Sequence, residues 1–338
     1  MLQLINQTPF AAQLDVIRDE TGRDAVLVVA KASFSLDGTP RLHPDQAPIV
    51  SQNQFHGEPE QSSLKYAAEN HLPQPGLSCV LIGNAWAPQA KPHQQLVVHV
   101  QVGALQQALA VFGDRHWEWS GHSEPEPFIT MPLRYENAFG GQHHFNPDLP
   151  PGPDSMQIHP YNPVGKGFRG KRSTSEMIGH PLPNIEDPKH LIELPKDQPL
   201  PIGVGYVSPT WEPRLSYVGT YDGQWQKYRA PVLPEDFDRR YFMSGSPGLS
   251  ALNQYFLGGE PISITHTHPE RPLIQSMVPE CILSAVIDFG GDQHALPLRM
   301  ETLILESEQN RQQLVMRALF PCERRVTKVE SVRIRIGV

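Results

Sequence analysis

Proline occupies 35 of 338 positions, roughly twice the share of about 5% in an ordinary chain. Each proline holds φ near about −65° and removes a backbone donor, so helix interiors and central strands are interrupted wherever one falls. Fourteen of them lie between Pro147 and Pro213, mixed with glycine, asparagine and histidine and without helical or strand periodicity. A helix-dominated fold is excluded by this pattern. The 147–213 stretch also carries Tyr161, Phe168, Met177, Ile178, Leu182, Ile185, Tyr206 and Trp211, and disordered segments are poor in such residues. An ordered, irregular excursion packed on a sheet framework is expected there.

On either side of this excursion the pattern is that of strands. Ala25 to Phe34 is β-branched and almost continuously apolar, as a strand covered on both faces would be. From Gln94 to Val102 the period is two, with Leu96, Val98, Val100 and Val102 opposing Val97, His99 and Gln101. Leu296, Leu298, Met300, Thr302 and Ile304 oppose Arg299 and Glu301, and Val332, Ile334 and Ile336 oppose Arg333 and Arg335. The expectation is a mainly β protein of two packed, largely antiparallel sheets, resembling a β-sandwich, in one unit spanning residues 1–338. Helical signals are few. A short turn is expected over Ser62 to Ala68, and a short helix over Pro247 to Leu257 closed by Gly258 and Gly259.

Charge and cysteine usage bound the function. With 28 basic and 36 acidic residues the formal charge is −8, which disfavours general attraction to nucleic acid or to an anionic membrane. Cys79, Cys281 and Cys322 are too few and too far apart for a zinc ribbon or a Cys-x-x-Cys redox pair. The first residues lack a basic leader with an apolar run, and no apolar run is long enough to span a bilayer. A soluble, cytoplasmic protein without cofactor or metal is expected.

The catalytic motifs fail on context. Gly165-Lys166-Gly167-Phe168-Arg169-Gly170 satisfies Gly-x-Gly-x-x-Gly, yet no strand delivers it and no apolar helix follows to hold a pyrophosphate. Ser62-Ser63-Leu64-Lys65 matches Ser-x-x-Lys without its Ser-Asp-Asn and Lys-Thr-Gly companions, so a helix cap is the better use of the two serines. Among fifteen histidines, His266 and His268 would share one face of a strand with Glu270 following. A metal-dependent hydrolase built on His266, His268 and nearby acids is therefore the enzymatic alternative. Asp222, Asp236, Asp238, Arg239 and Arg240 suit loop-pinning ion pairs better than catalysis.

A series of loop motifs runs through the chain in order. It begins with Asn6-x-Thr8-Pro9-Phe10, Val28 to Phe34, Gly57-Glu58-Pro59-Glu60-x-Ser62-Ser63-Leu64-Lys65-Tyr66 and Gly113-Asp114-Arg115-x-Trp117. The glycine-rich pair Tyr135 to Gly141 and Asn162 to Phe168 follows, then Leu182 to Glu186, Trp211-x-Pro213-Arg214 and Gly219-Thr220-Tyr221-Asp222-x-x-Trp225. Leu233-Pro234-x-Asp236-Phe237-Asp238-x-Arg240-Tyr241-Phe242 closes it. In this the chain resembles the effector adaptor (chaperone) proteins of the bacterial type VI secretion system, a family first catalogued as a domain of unknown function. It departs from that pattern at His266 and at Met243-Ser244-Gly245.

The resemblance implies a non-enzymatic role, with a cognate secreted effector and the secretion spike protein as partners. An adaptor needs a preformed, partly apolar surface, and rigid aromatic and arginine anchors provide it at low entropic cost. The residues expected to bind protein are Arg134, Tyr135, Phe139, Phe168, Trp211, Arg214, Tyr221 and Trp225, each with core packing or loop pinning as its structural alternative.

Overall fold

The computed structural model describes residues 2–323 and 325–337. Fragments of two or three residues aside, its strands are Gln3–Asn6 (β1), Ala11–Arg18 (β2), Asp24–Ser35 (β3), Gly76–Ile82 (β4), Gln95–Val102 (β5), Leu105–Phe112 (β6), Pro261–Thr265 (β7), Leu273–Met277 (β8), Leu283–Phe289 (β9), Asp292–Glu306 (β10), Arg311–Pro321 (β11) and Val329–Ile336 (β12). The larger sheet runs β1-β12-β9-β10-β11-β3-β2, with β4 lying parallel to the second half of β10. The smaller runs from the Ile185–Glu186 fragment through β6, β5 and β7 to β8. The fold is mainly β, as the alternation requires.

Side-chain parity builds the core. Val26, Val28, Ala30 and Ala32 of β3 meet Val98, Val100 and Val102 of β5 and Ile262 and Ile264 of β7 between the sheets. Leu27 and Val29, of opposite parity, pack with Val80, Ile304, Val315, Leu64 and Tyr206 on the outer face of the larger sheet. The strand β3 is thus covered on both sides. All three cysteines are free and buried as small apolar groups.

The alternation read along β10 breaks at Glu301. A bulge separates Met300 from Thr302, and beyond it every residue to Glu306 is buried, because the strand there acquires β4 as a new neighbour. On the outer face the Glu301 carboxylate meets Arg317 at 2.9 Å and accepts from the Gln74 amide at 3.3 Å, so it is covered by the segment preceding β4. Arg317 also donates through Nε to the Glu69 carbonyl at 2.8 Å, and Glu69 pairs with buried Lys31 at 2.7 Å. These buried charges fasten the segment preceding β4 onto the outer face.

The expected turn over Ser62 to Ala68 and the expected helix over Pro247 to Leu257 each give way in part to a short strand. Pro247–Leu249 is a single 3-10 turn, and Ser250–Leu252 then pairs with β4, whose open edge offers a ladder that a short helix begun by Pro-Gly could not match. Likewise Leu64–Tyr66 is extended and pairs with Gln54–Phe55, preceded by a turn in which Gln61 donates to the Glu58 carbonyl at 3.0 Å. Ser62 and Ser63 therefore cap no helix. The α-helix Gly223–Tyr228 (α1) had no apolar periodicity to announce it.

No long element forms within residues 147–213, and its three strand fragments are two or three residues each. It is ordered by a satellite core in which Met177, Leu182 and Ile192 pack with Trp117 and Phe139. No helix among the described residues is long and apolar enough to cross a membrane.

Candidate protein-binding surface

The structure divides the eight expected contact residues. Tyr135 and Trp211 are buried and pack edge to face, and Phe139 is buried edge-on to His159 with centroids 5.3 Å apart. Arg214 is buried as well, donating through Nε to the Tyr241 carbonyl at 2.7 Å and through Nη1 to the Val207 carbonyl at 2.6 Å. Burial lowers its guanidinium to about 10, still charged near neutrality. These four take the core and loop-pinning role in place of the surface one, since each is buried against segments distant in the chain. Phe168 is half-buried against His159 at 5.5 Å. Arg134, Tyr221 and part of Trp225 reach the surface.

The paired glycine loops form a staple. Asn162 is fully buried, and its Nδ2 donates to the Tyr135 carbonyl at 2.8 Å and the Phe139 carbonyl at 2.9 Å. Gly140 sits at φ +147°, where a Cβ would lie 2.2 Å from the Asn162 oxygen. Only glycine allows that approach. Gly165 to Gly170 leads into turns, so its pattern serves the same backbone packing and no helix follows it.

Tyr221 and Trp225 lie in the lobe from Arg214 to Phe242. Helix α1 starts at Asp222, whose carboxylate accepts from the Trp225 amide at 2.8 Å. Asp236 accepts from the Thr220 amide at 2.9 Å and from its hydroxyl at 2.7 Å, and these bonds hold its carboxyl below the ordinary range. Trp225 Nε1 donates to the Val232 carbonyl at 2.8 Å, while Arg239 clasps Glu20 with contacts of 3.1 and 2.7 Å. Asp238 pairs with Arg240 at 2.6 Å. Of the expected pinning residues Asp238, Arg239 and Arg240 form ion pairs, whereas Asp222 and Asp236 pin the chain as hydrogen-bond acceptors instead; together they fix the lobe without filling its outer side.

On that outer side Tyr221 lies against Trp225 with centroids 4.6 Å apart and is 49% exposed, while Tyr228 is 71% exposed. Between α1 and the Pro234–Asp236 turn lies a groove of about 340 Å³ lined by Trp225, Tyr228, Pro234 and the acids Asp222, Glu235 and Asp236. Rigid aromatic rings beside a polar rim are the composition of a protein-binding patch. Tyr228 was missed in the sequence because a tyrosine in a short polar helix carries no periodic signal.

The histidines are engaged locally. His266 follows β7 at φ +57° instead of continuing the strand, and its Nδ1 bonds the Val97 carbonyl at 2.9 Å. His268 Nδ1 accepts from the amides of Glu270 and Arg271 at 3.1 and 3.2 Å. The two rings therefore do not share a strand face. Among the described residues no three His, Cys, Asp or Glu side chains converge to hold a metal.

A family model described as an uncharacterized protein conserved in bacteria (DUF2169) matches residues 21–317. No curated protein and no solved structure matches the chain.

Proposed function

Because the chain belongs to the DUF2169 family of bacteria, an uncharacterized one, we propose that it is a non-enzymatic adaptor that binds a cognate type VI secretion effector and helps load it onto the secretion spike. The observation that carries this reading is the exposed pair Tyr221 and Tyr228, with Trp225 partly exposed between them, on a lobe braced by Asp236, Arg239 and Glu20. Braced aromatic anchors bind with little loss of side-chain freedom, which suits a surface that must capture a polypeptide and release it. The ordered run of loop motifs from Asn6 to Phe242 supports the same reading. Cargo would be held by its N-terminal region or an attached spike-tip domain.

Co-expression with the products of neighbouring genes, followed by pull-down, tests the proposal. A stoichiometric complex with one effector is expected, along with loss of that effector's secretion when the adaptor gene is deleted. An effector that stays soluble and secreted without this protein would end the proposal.

A further inference from the structure

The sheet edges of this protein are treated unequally. On the smaller sheet, the outer edge of β8 is covered: the Gly38 amide donates to the Gln275 carbonyl at 2.9 Å, and Gln312 Nε2 donates to the Met277 carbonyl at 3.1 Å. The Ser276 hydroxyl closes the same edge by donating to the Gly38 carbonyl at 3.2 Å. Strand β2, the last of the larger sheet, has eight residues and pairs only with β3.

The register says which groups of β2 are left over. Asp19 donates its amide to the Arg23 carbonyl across the hairpin, and Arg18 stands opposite Asp24, whose carbonyl is instead taken by the Cys322 amide on the far side of β3. Residues alternate along an antiparallel strand. Ala11, Gln13, Asp15 and Ile17 therefore bond to β3, while Ala12, Leu14, Val16 and Arg18 turn their N–H and C=O groups outward. None of these outward groups has a protein partner among the described residues. Past Lys31, where β2 stops, the same side of β3 is occupied by residues 41–43, with the Arg41 carbonyl accepting from Ser35 and the His43 amide donating to Ser33. Only the β2 stretch is open.

Beside that row lies β1. Asn6 ties the corner, its Nδ2 donating to the Phe10 carbonyl at 2.8 Å and its Oδ1 accepting from Thr8. From this corner β1 leaves to pair with β12 and forms no ladder with β2, so the larger sheet curls almost into a barrel without closing. Leu4, Ala12 and Leu14 line the seam as partly buried groups packed on the main core.

We propose that the outer edge of β2 is a strand-addition site that takes one extended segment of the carried polypeptide, with apolar side chains at alternate positions toward Leu4 and Leu14. A row of alternating donors and acceptors is matched in full only by another extended backbone. The proposal gives the adaptor reading a second contact, and it rests on that reading for the identity of the segment.

The test uses the full chain and overlapping synthetic peptides covering the N-terminal region of the neighbouring effector, each long enough to span β2. Amide hydrogen exchange at Ala12, Leu14 and Val16 should be fast in the free protein and slow about tenfold or more when one peptide binds. Val16→Pro removes an outward N–H and spares the β2–β3 bonds, so it should weaken that peptide about tenfold while the chain stays folded; Ile17→Pro should unfold the hairpin. If no peptide slows these amides, the strand-addition site is wrong even where the whole effector co-purifies through the aromatic lobe. If a peptide slows them while no effector co-purifies, the site stands and delivery falls. A concentration-dependent dimer protecting the same amides without peptide would assign the edge to a second copy and overturn the proposal.

Discussion

Tyr135 and Trp211 meet edge to face with ring centroids 5.6 Å apart and planes at 82°, joining the loop before the glycine staple to the end of the proline-rich excursion. Gly203 closes over the tyrosine ring, where any added Cβ would come within 2.9 Å of it. Two rings expected at a binding surface are thus the seam between two irregular segments.

Replacing either ring should therefore act on stability. Tyr135→Ala or Trp211→Ala is expected to cost about 3–5 kcal/mol, in the range of large aromatic truncations in cores. Urea denaturation checks this. A melting curve left unchanged by Tyr135→Ala would return the ring to the surface.

The glycine staple predicts a second loss. Gly140→Ala places a methyl group against the Asn162 carbonyl and forces a side chain into a backbone region at φ +147°. A cost of about 2–4 kcal/mol is expected from strain and overpacking together. Asn162→Ala should cost about 1–3 kcal/mol, since the buried Phe139 carbonyl would go without a donor and the Tyr135 carbonyl would keep only the Ala138 amide. Thermal denaturation of the two variants distinguishes this staple from a ligand loop, which would lose binding and keep its stability.

Burial lifts the Glu301 carboxyl from 4.5 to about 7, against the opposing pull of Arg317. Between those values the folded protein keeps a proton that the unfolded chain has released, so this group's contribution to stability falls as pH rises. The contribution lost is about 3 kcal/mol across the window, with little further change above it. Glu301→Gln removes the titration, and the wild-type-minus-variant difference in stability should decline from pH 4.5 to 7. A flat difference would place the proton elsewhere.

The aromatic lobe makes the functional prediction. Tyr221→Ala with Tyr228→Ala should weaken effector capture about tenfold or more, with melting behaviour almost unchanged, because both rings are largely exposed. Trp225→Ala is the wrong probe, since its indole also holds the Val232 carbonyl. Quantitative pull-down beside a thermal melt separates the two effects.

Period-two alternation was enough to read β5 and much of β10 and β12 from the residues alone, because a strand with one face in the core repeats its chemistry every second position, and the almost unbroken apolar run of β3 marked a strand covered on both faces. Proline content argued against a helix-dominated fold, and the aromatic residues of 147–213 indicated order there. Beyond that, local pattern was silent. Glu301 has the parity of a solvent residue, and what buries it with Arg317 is the segment preceding β4, laid over that face. Tyr135, Phe139, Trp211 and Arg214 carry the residue types of interface anchors, and what buried them is contact with segments far away in the chain. Identity and spacing are local properties, whereas burial is a property of the neighbours that tertiary packing supplies. The same holds for β2: its sequence predicts nothing about an edge, and only the sheet order leaves Ala12, Leu14, Val16 and Arg18 facing outward without a partner strand.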